Sequence, residues 1–205
     1  MLRRWLDGFV LRGPFRGRNA ARYLSVHRQA FGDLDERVVR RVAADHADAT
    51  VIADVGAGDG RVARALAAAL PAAFVVAVEP SPDLAIRGAV RALAERLPFA
   101  PSSVDLAILL SSLRHVEDRS AALRELRRVV RGTALVVELD PHADRRRTWN
   151  HEAAIPSTLA RLSFAPVVLG LAPPAEEIAD LAVREGWRAR WEPDPSQPFY
   201  WMWLK

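Results

Sequence analysis

Asp54-Val-Gly56-Ala-Gly58-Asp-Gly60 follows a short β-branched run, Thr50–Asp54, and precedes a helix-forming stretch, Arg61–Leu70, closed by Pro71. Glycines at this spacing let the backbone turn tightly and keep side chains out of the way of a ligand. Glu79 ends a second apolar run, Phe74–Glu79, 21 residues after Gly58, where a carboxylate can accept hydrogen bonds from both hydroxyls of a ribose. The loop reads G-x-G-x-G rather than G-x-G-x-x-G, so a pyrophosphate cradle is less well supported than a smaller adenosine ligand. His115, in SSLRHVED after a later apolar run, adds a group that could serve as general base near a bound substrate, or cap a helix and pack.

These residues need elements to hold them. Arg18–Phe31 alternates basic and apolar residues at helical spacing, and Gly32-Asp33 separates it from a second helix, Leu34–His46, with Val38, Val39 and Val42 inward. Val104–Leu110 and Thr133–Leu139 are apolar along their whole length. Between them Ser120–Arg131 reads as a helix with Leu123, Leu126 and Val130 on one face and Gly132 as its stop. Pro82–Arg87 reads as a turn or helix and Ala89–Leu93 as a weak strand. Strands apolar on both faces, alternating with helices, predict a Rossmann-like, doubly wound, mostly parallel α/β sheet. Ala175–Glu185 reads as a helix, and Trp187–Trp191 and Phe199–Leu204 as strands joined by a proline-rich turn short enough only for antiparallel neighbours, so the sheet ends in a hairpin.

The resulting organisation is a single domain over 1–205: an N-terminal helical cap (1–46), a ligand-binding core (47–140), a lid insertion (141–173), and a C-terminal helix and hairpin (174–205). Its length of 205 residues suits one core. The absence of cysteine excludes disulfides, Cys-ligated metals and thiol nucleophiles, and agrees with a reducing compartment. No apolar run reaches membrane-spanning length and no leader is readable, so a cytoplasmic location is expected. Residues 1–30 hold seven arginines against Asp7, a net +6, so the remainder carries −2 of the total of +4. Such a basic arm suits an acidic small molecule, a lipid surface or nucleic acid.

At DVGAGDG the chain resembles the class I S-adenosylmethionine-dependent methyltransferases, in their small-molecule, ubiquinone-biosynthesis-like branch. The resemblance runs through VAVEPS and AERLPFAPSSVDLAILLSSLRHVED to LRELRRVVRG. It implies that Asp54, Gly56, Ala57, Gly58 and Gly60 form the loop at the methionine end of S-adenosylmethionine. Glu79 would hold the ribose, Pro80 would lie under the adenine, Leu93 and Ala94 would flank it, and Leu110 and Ser111 would face the sulfonium. Two features depart from the family: only Pro80–Gly88 stands where a full helix is usual, and Leu93 replaces an aspartate that would bond the adenine amino group.

The function implied is methyl transfer to a small-molecule acceptor on O, N or C, with His115 as candidate base. The alternative is a degenerate S-adenosylmethionine-binding domain with a regulatory role. Nucleic acid as substrate is disfavoured, because SSLR stands where amino-methylating enzymes carry an Asn/Asp-Pro-Pro-Tyr type of motif. The five histidines lack acids at ligand spacing, so no metal is expected. His142 and His151 read as surface residues, and Arg145–Arg147 as a solvated run. Trp187, Trp191, Trp201 and Trp203 read as sheet-face packing, and Tyr23 as a residue closing over the cofactor or packing in the core. Residues 141–173 and the N-terminal helices are expected to form the acceptor pocket.

Overall fold

A computed structural model of the chain describes residues 15–84 and 86–205; the first half of the basic arm lies outside these residues. Six strands form one sheet in the order β2-β1-β3-β4-β6-β5. They are β1 (Val51–Val55), β2 (Phe74–Val78), β3 (Val104–Leu110), β4 (Val130–Leu139), β5 (Ala189–Pro193) and β6 (Phe199–Leu204). The first four are parallel to one another, and β6 runs antiparallel to both β4 and β5. The mostly parallel sheet with its terminal hairpin is as the sequence predicts.

Alternation along each strand sorts side chains onto two cores. Ile52, Leu106, Ile108, Leu135 and Val137 face one layer, which contains α2 (Leu34–Asp45) and α3 (Arg61–Ala69). Ala53, Ala107, Leu109, Ala134 and Val136 face the other, which contains α4 (Arg119–Val129) and α7 (Ala175–Arg184). Because both faces are covered, period-two alternation of polarity is absent and the strands read as continuous apolar runs. Helix α2 inserts Leu34, Val38 and Val42 at a four-residue spacing, and Asp35 and Glu36 in its first turn complement the helix dipole.

Three boundaries differ from expectation. Ala89–Leu93 is not a strand: only isolated bridges remain, Leu93 to Arg96 and Val90 to Val78, the latter held by Glu79 N–H to the Val90 carbonyl at 3.0 Å and Val90 N–H to the Ala77 carbonyl at 2.8 Å. Gly88, at φ 89°, turns the chain away there. Gly132 lies inside β4 rather than ending the preceding helix; a Cβ on it would stand 2.2 Å from the Asp105 carbonyl oxygen, so the close approach of β3 requires glycine. Trp187 precedes β5 and is buried, its indole N–H donating to the Leu123 carbonyl at 2.9 Å and so tying α7 to α4.

The N-terminal segment α1 (Gly17–Arg22) continues through a π-helical turn, Tyr23–His27, and a 3₁₀ turn, Arg28–Phe31. Within 141–173 lie α5 (Arg145–Ala153), α6 (Thr158–Ser163) and a π-helical turn, Phe164–Leu169. His151, expected at the surface, is buried: its ring stacks on Phe164 at 4.5 Å and meets Phe31 and Phe199 edge-on or tilted. His142 is exposed, as are Arg145 and Arg146, whereas Arg147 pairs with Asp140 and Asp144. Trp201 and Trp203 stack on one face of β6, with Arg41 over the Trp203 ring.

Candidate active site

The carboxyl ends of β1, β2 and β3 open into a cavity of about 210 Å³, where ligands of open parallel sheets bind. Its floor is the glycine loop. Gly56, Gly58 and Gly60 all have positive φ, and a Cβ on Gly56 would lie 2.5 Å from that of Ser112. A Cβ on Gly58 would meet nothing within 4 Å, so this residue faces open space where a ligand can approach the backbone. Gly60 caps α3 and would collide with Ile86; it does not itself line the cavity.

Asp54 and Glu79 stand at the ends of their strands, both buried. One Asp54 oxygen, Oδ2, is sealed from solvent without a hydrogen-bond partner. Burial pushes its carboxyl up to about 7, with the Asp35 and Glu79 charges adding and a backbone N–H and Arg28 opposing. Glu79 accepts from the Gly58 N–H at 2.8 Å and from the Ser81 N–H at 2.7 Å. Burial raises its affinity for a proton, and these two amides hold it back. Pro80, Leu93 and Ala94 line the cavity as well, Leu93 with an apolar side chain that offers no hydrogen bond.

Leu110, Ser111 and His115 also line the cavity. Ser111 has φ 54°, a conformation costing a non-glycine residue roughly 1–3 kcal/mol. Its N–H donates to Val137 at 2.7 Å, and Arg114 Nη1 donates to its Oγ at 2.5 Å and to Glu138 at 2.6 Å. The buried Arg114–Glu138 pair therefore fixes the strained turn after β3, a device no local pattern signals because Glu138 comes from β4. His115 sits in the 3₁₀ turn Leu113–His115. Both of its ring nitrogens are sealed and unpartnered, and the Phe15 ring meets it edge-on at 4.6 Å. Burial, reinforced by the charges of Arg114 and Arg119, holds the imidazole well below its ordinary pKa, so it is neutral.

Phe15, Tyr23, Leu24, Arg28 and Phe31 roof the cavity. Two bonds latch the roof to the loop after Glu79: Ser81 Oγ to the Phe15 carbonyl and Gly17 N–H to Asp83, at 2.5 and 3.0 Å. No residue of 141–173 lines the cavity; that segment buttresses the roof from behind through His151 on Phe31. Of the residues singled out from sequence, Asp54, Gly56, Ala57, Gly58, Glu79, Pro80, Leu93, Ala94, Leu110, Ser111 and His115 share this one cavity. Phe15 and Arg28 were not among them, because only the folding of the N-terminal segment over the sheet brings them there. Among the described residues, no His, Asp and Glu side chains group as metal ligands do.

Comparison with known proteins agrees with this geometry. Residues 53–137 match the family described as methyltransferase domain. The chain is 35% identical over 144 residues to the ubiquinone/menaquinone biosynthesis C-methyltransferase UbiE of Syntrophotalea carbinolica, covering 61% of this chain and 60% of that protein. Among solved structures it superposes on a protein assigned as a methyltransferase of an antibiotic biosynthesis pathway of Anabaena variabilis, with a TM-score of 0.62 and 25% identity over 78% of this chain and 65% of that one. It has the fold of a methyltransferase of Thermotoga maritima, with a TM-score of 0.60 at 22% identity over 90% and 93% of the two chains. It also has that of the plantazolicin methyltransferase BpumL, solved with S-adenosylhomocysteine, with a TM-score of 0.64 at 12% identity over 83% and 82%. The chain thus spans about three fifths of the length of its curated relative. The residues fit that cofactor: an open approach at Gly58, an unpartnered buried carboxyl at Asp54, and a buried carboxylate at Glu79. Residues 53–137 thus match the methyltransferase domain family, and the chain shares the fold of solved methyltransferases.

Proposed function

We propose that this chain transfers a methyl group from S-adenosylmethionine to a small-molecule acceptor. The observation that carries the reading is the continuity of one roofed cavity from the glycine loop and Glu79 to His115. The cofactor, when bound, supplies an electrophilic methyl on its sulfonium. Glu79 would hold the ribose hydroxyls, with Gly58 and Ser81 keeping its carboxylate in place. Ser111, clamped by Arg114 and Glu138, would shape the end where acceptor and methyl meet. Phe15, Tyr23, Leu24 and Phe31 would exclude water and align an apolar acceptor, and alignment supplies much of the rate of such a displacement. Neutral His115 would take the proton from a hydroxyl nucleophile at one ring nitrogen, and Phe15 must swing aside to admit it.

A roof that is largely apolar supports a compact acceptor rather than nucleic acid. The family relationship and the intact loop give no support to a degenerate binding domain. Among the described residues no helix is long and apolar enough to cross a membrane; the cytoplasm, the compartment that supplies the cofactor, is the proposed location.

Calorimetry with S-adenosylmethionine and S-adenosylhomocysteine tests the reading, and no heat at millimolar ligand would sink it. Glu79→Ala is expected to weaken binding by about 1.5–3 kcal/mol, the scale of hydrogen bonds to a charged group. Unchanged affinity would mean that the ribose is held elsewhere.

A further inference from the structure

From Ala153 to Ala175 the chain holds no acidic residue, and Arg161 is its one charged residue. A helical run this apolar is ordinarily buried on every side. Here one side is buried and the other is not. Ala160, Phe164 and Leu169 turn into the apolar layer beneath α2. Leu159, Leu162 and Val167 are 71, 72 and 51% exposed, and Leu171, just beyond the turn, is 55% exposed. Leu159, Leu162 and the exposed Pro166 stand three and then four residues apart, the spacing of one helix side, so they form a stripe rather than a scatter. Helix α5 repeats the arrangement. His151 turns inward to stack on Phe164, while the exposed Arg145, Arg146 and Trp149 stand on the opposite side of the helix. The inner sides of both segments meet at that stack, so their outer sides turn away from the same buried point.

Charge says what covers this surface. Residues 145–175 hold four arginines against Glu152 alone, and Arg145, Arg146 and Arg161 are exposed. Arg147 beside them pairs with Asp140 and Asp144, whereas among the described residues none of the three exposed arginines pairs with a carboxylate. Arg161 donates only to the Ile155 carbonyl, at 2.9 Å, and keeps its charge. Exposed leucines, a tryptophan and unneutralised arginines together suit a water–lipid boundary, where apolar side chains enter the acyl region and cations meet anionic headgroups. A second copy of the chain fits worse, because a two-fold contact would set these arginines against their own counterparts. We propose that the outer sides of α5, α6 and the Phe164–Leu169 turn form a docking surface for an anionic lipid bilayer, on which the protein lies without crossing it. None of these residues lines the cavity, so the inference stands or falls apart from the methyltransferase reading.

Co-sedimentation of the full chain with vesicles tests it, using phosphatidylglycerol mixed into phosphatidylcholine against phosphatidylcholine alone. Binding to the mixed vesicles is expected to exceed binding to the neutral ones about tenfold or more, and to fall as salt rises, because surface charges are screened. Replacing Leu159 and Leu162 together by glutamine should weaken it about tenfold to a hundredfold, the scale for withdrawing apolar side chains from the acyl region. Replacing Arg145 and Arg146 together by glutamine should weaken it about twentyfold, at roughly fivefold per arginine near the surface. All four side chains are exposed, so the thermal midpoints of both variants should match the wild type. Val183→Gln, at an exposed position on α7 on the opposite layer of the sheet, should leave binding within about twofold. No binding at about millimolar lipid, equal binding to neutral vesicles, binding unmoved by either double substitution, or an equal loss in Val183→Gln would each overturn the proposal. A dimer seen by size exclusion with light scattering, dissolved by the leucine substitutions and formed without vesicle binding, would give the surface to a second copy and overturn it too.

Discussion

Replacing His115 with alanine is expected to lower kcat by about a hundredfold or more for a hydroxyl acceptor, with cofactor affinity nearly unchanged. The expectation comes from where the ring stands. It lines the same cavity as the glycine loop, at the end where the acceptor is proposed to bind. Neither nitrogen is committed to a protein partner. Because burial and two neighbouring arginines hold it neutral, one nitrogen is available to accept a proton throughout the physiological range. The acid limb of the rate profile should accordingly fall well below pH 6.5, the ordinary histidine value. For an amine already neutral in the pocket, alignment suffices and the loss should be small. Steady-state kinetics across pH, with calorimetry on the same variant, checks both parts. A fall in cofactor affinity matching the fall in kcat would return His115 to a packing role under Phe15.

The second large effect concerns Asp54 and stability. Its carboxyl titrates near 7 in the folded protein and near 3.8 when unfolded, so folding favours the protonated form. The stability this confers is complete below pH 3.8 and is lost as pH rises through 7, where the ionised group is left buried. An asparagine at this position cannot ionise. Between about pH 5 and pH 8, the stability of Asp54→Asn relative to wild type should therefore improve by about 2–3 kcal/mol. Comparing the two proteins at each pH cancels the constant cost of burying an amide. It also cancels His115, whose depressed value acts oppositely and removes stability as pH falls below 6.5. Urea unfolding at the two pH values measures the difference, and parallel curves would show that Asp54 is ionised without penalty. Binding of a ligand with an ammonium at this site should ionise Asp54, so S-adenosylhomocysteine should release a proton at about pH 6, seen as a buffer-dependent heat. Buffer-independent heat would place the ammonium elsewhere.

The sequence by itself determined the parallel sheet and the floor of the cavity. Both rest on contiguous stretches: whole-length apolar strands report burial on two faces, and a strand–glycine loop–helix unit builds its geometry from neighbours along the chain. Glu79 was legible for the same reason, since it ends the strand adjacent to the loop and receives the Gly58 amide.

What the tertiary structure decided is everything built from distant segments. The absence of a strand at Ala89–Leu93 depends on how far Gly88 turns the chain from the β2 edge, not on residue propensity. Gly132 reads as a helix stop until the Asp105 backbone is seen against it. The strained Ser111 owes its conformation to a pair formed across 24 residues by Arg114 and Glu138. Residues 141–173 read as a lid because they are long and leave the carboxyl end of the sheet. Instead, Ile155, Phe164 and Leu169 join the apolar layer beneath α2, and burying them there leaves the roof to Phe15–Phe31. Arg28 looked like one more charge in a basic arm. Only the fold, by setting it against Asp35 and Phe31 over the cavity, turns a solvated cation into a buried one, because a buried charge is defined by what surrounds it in space rather than in sequence.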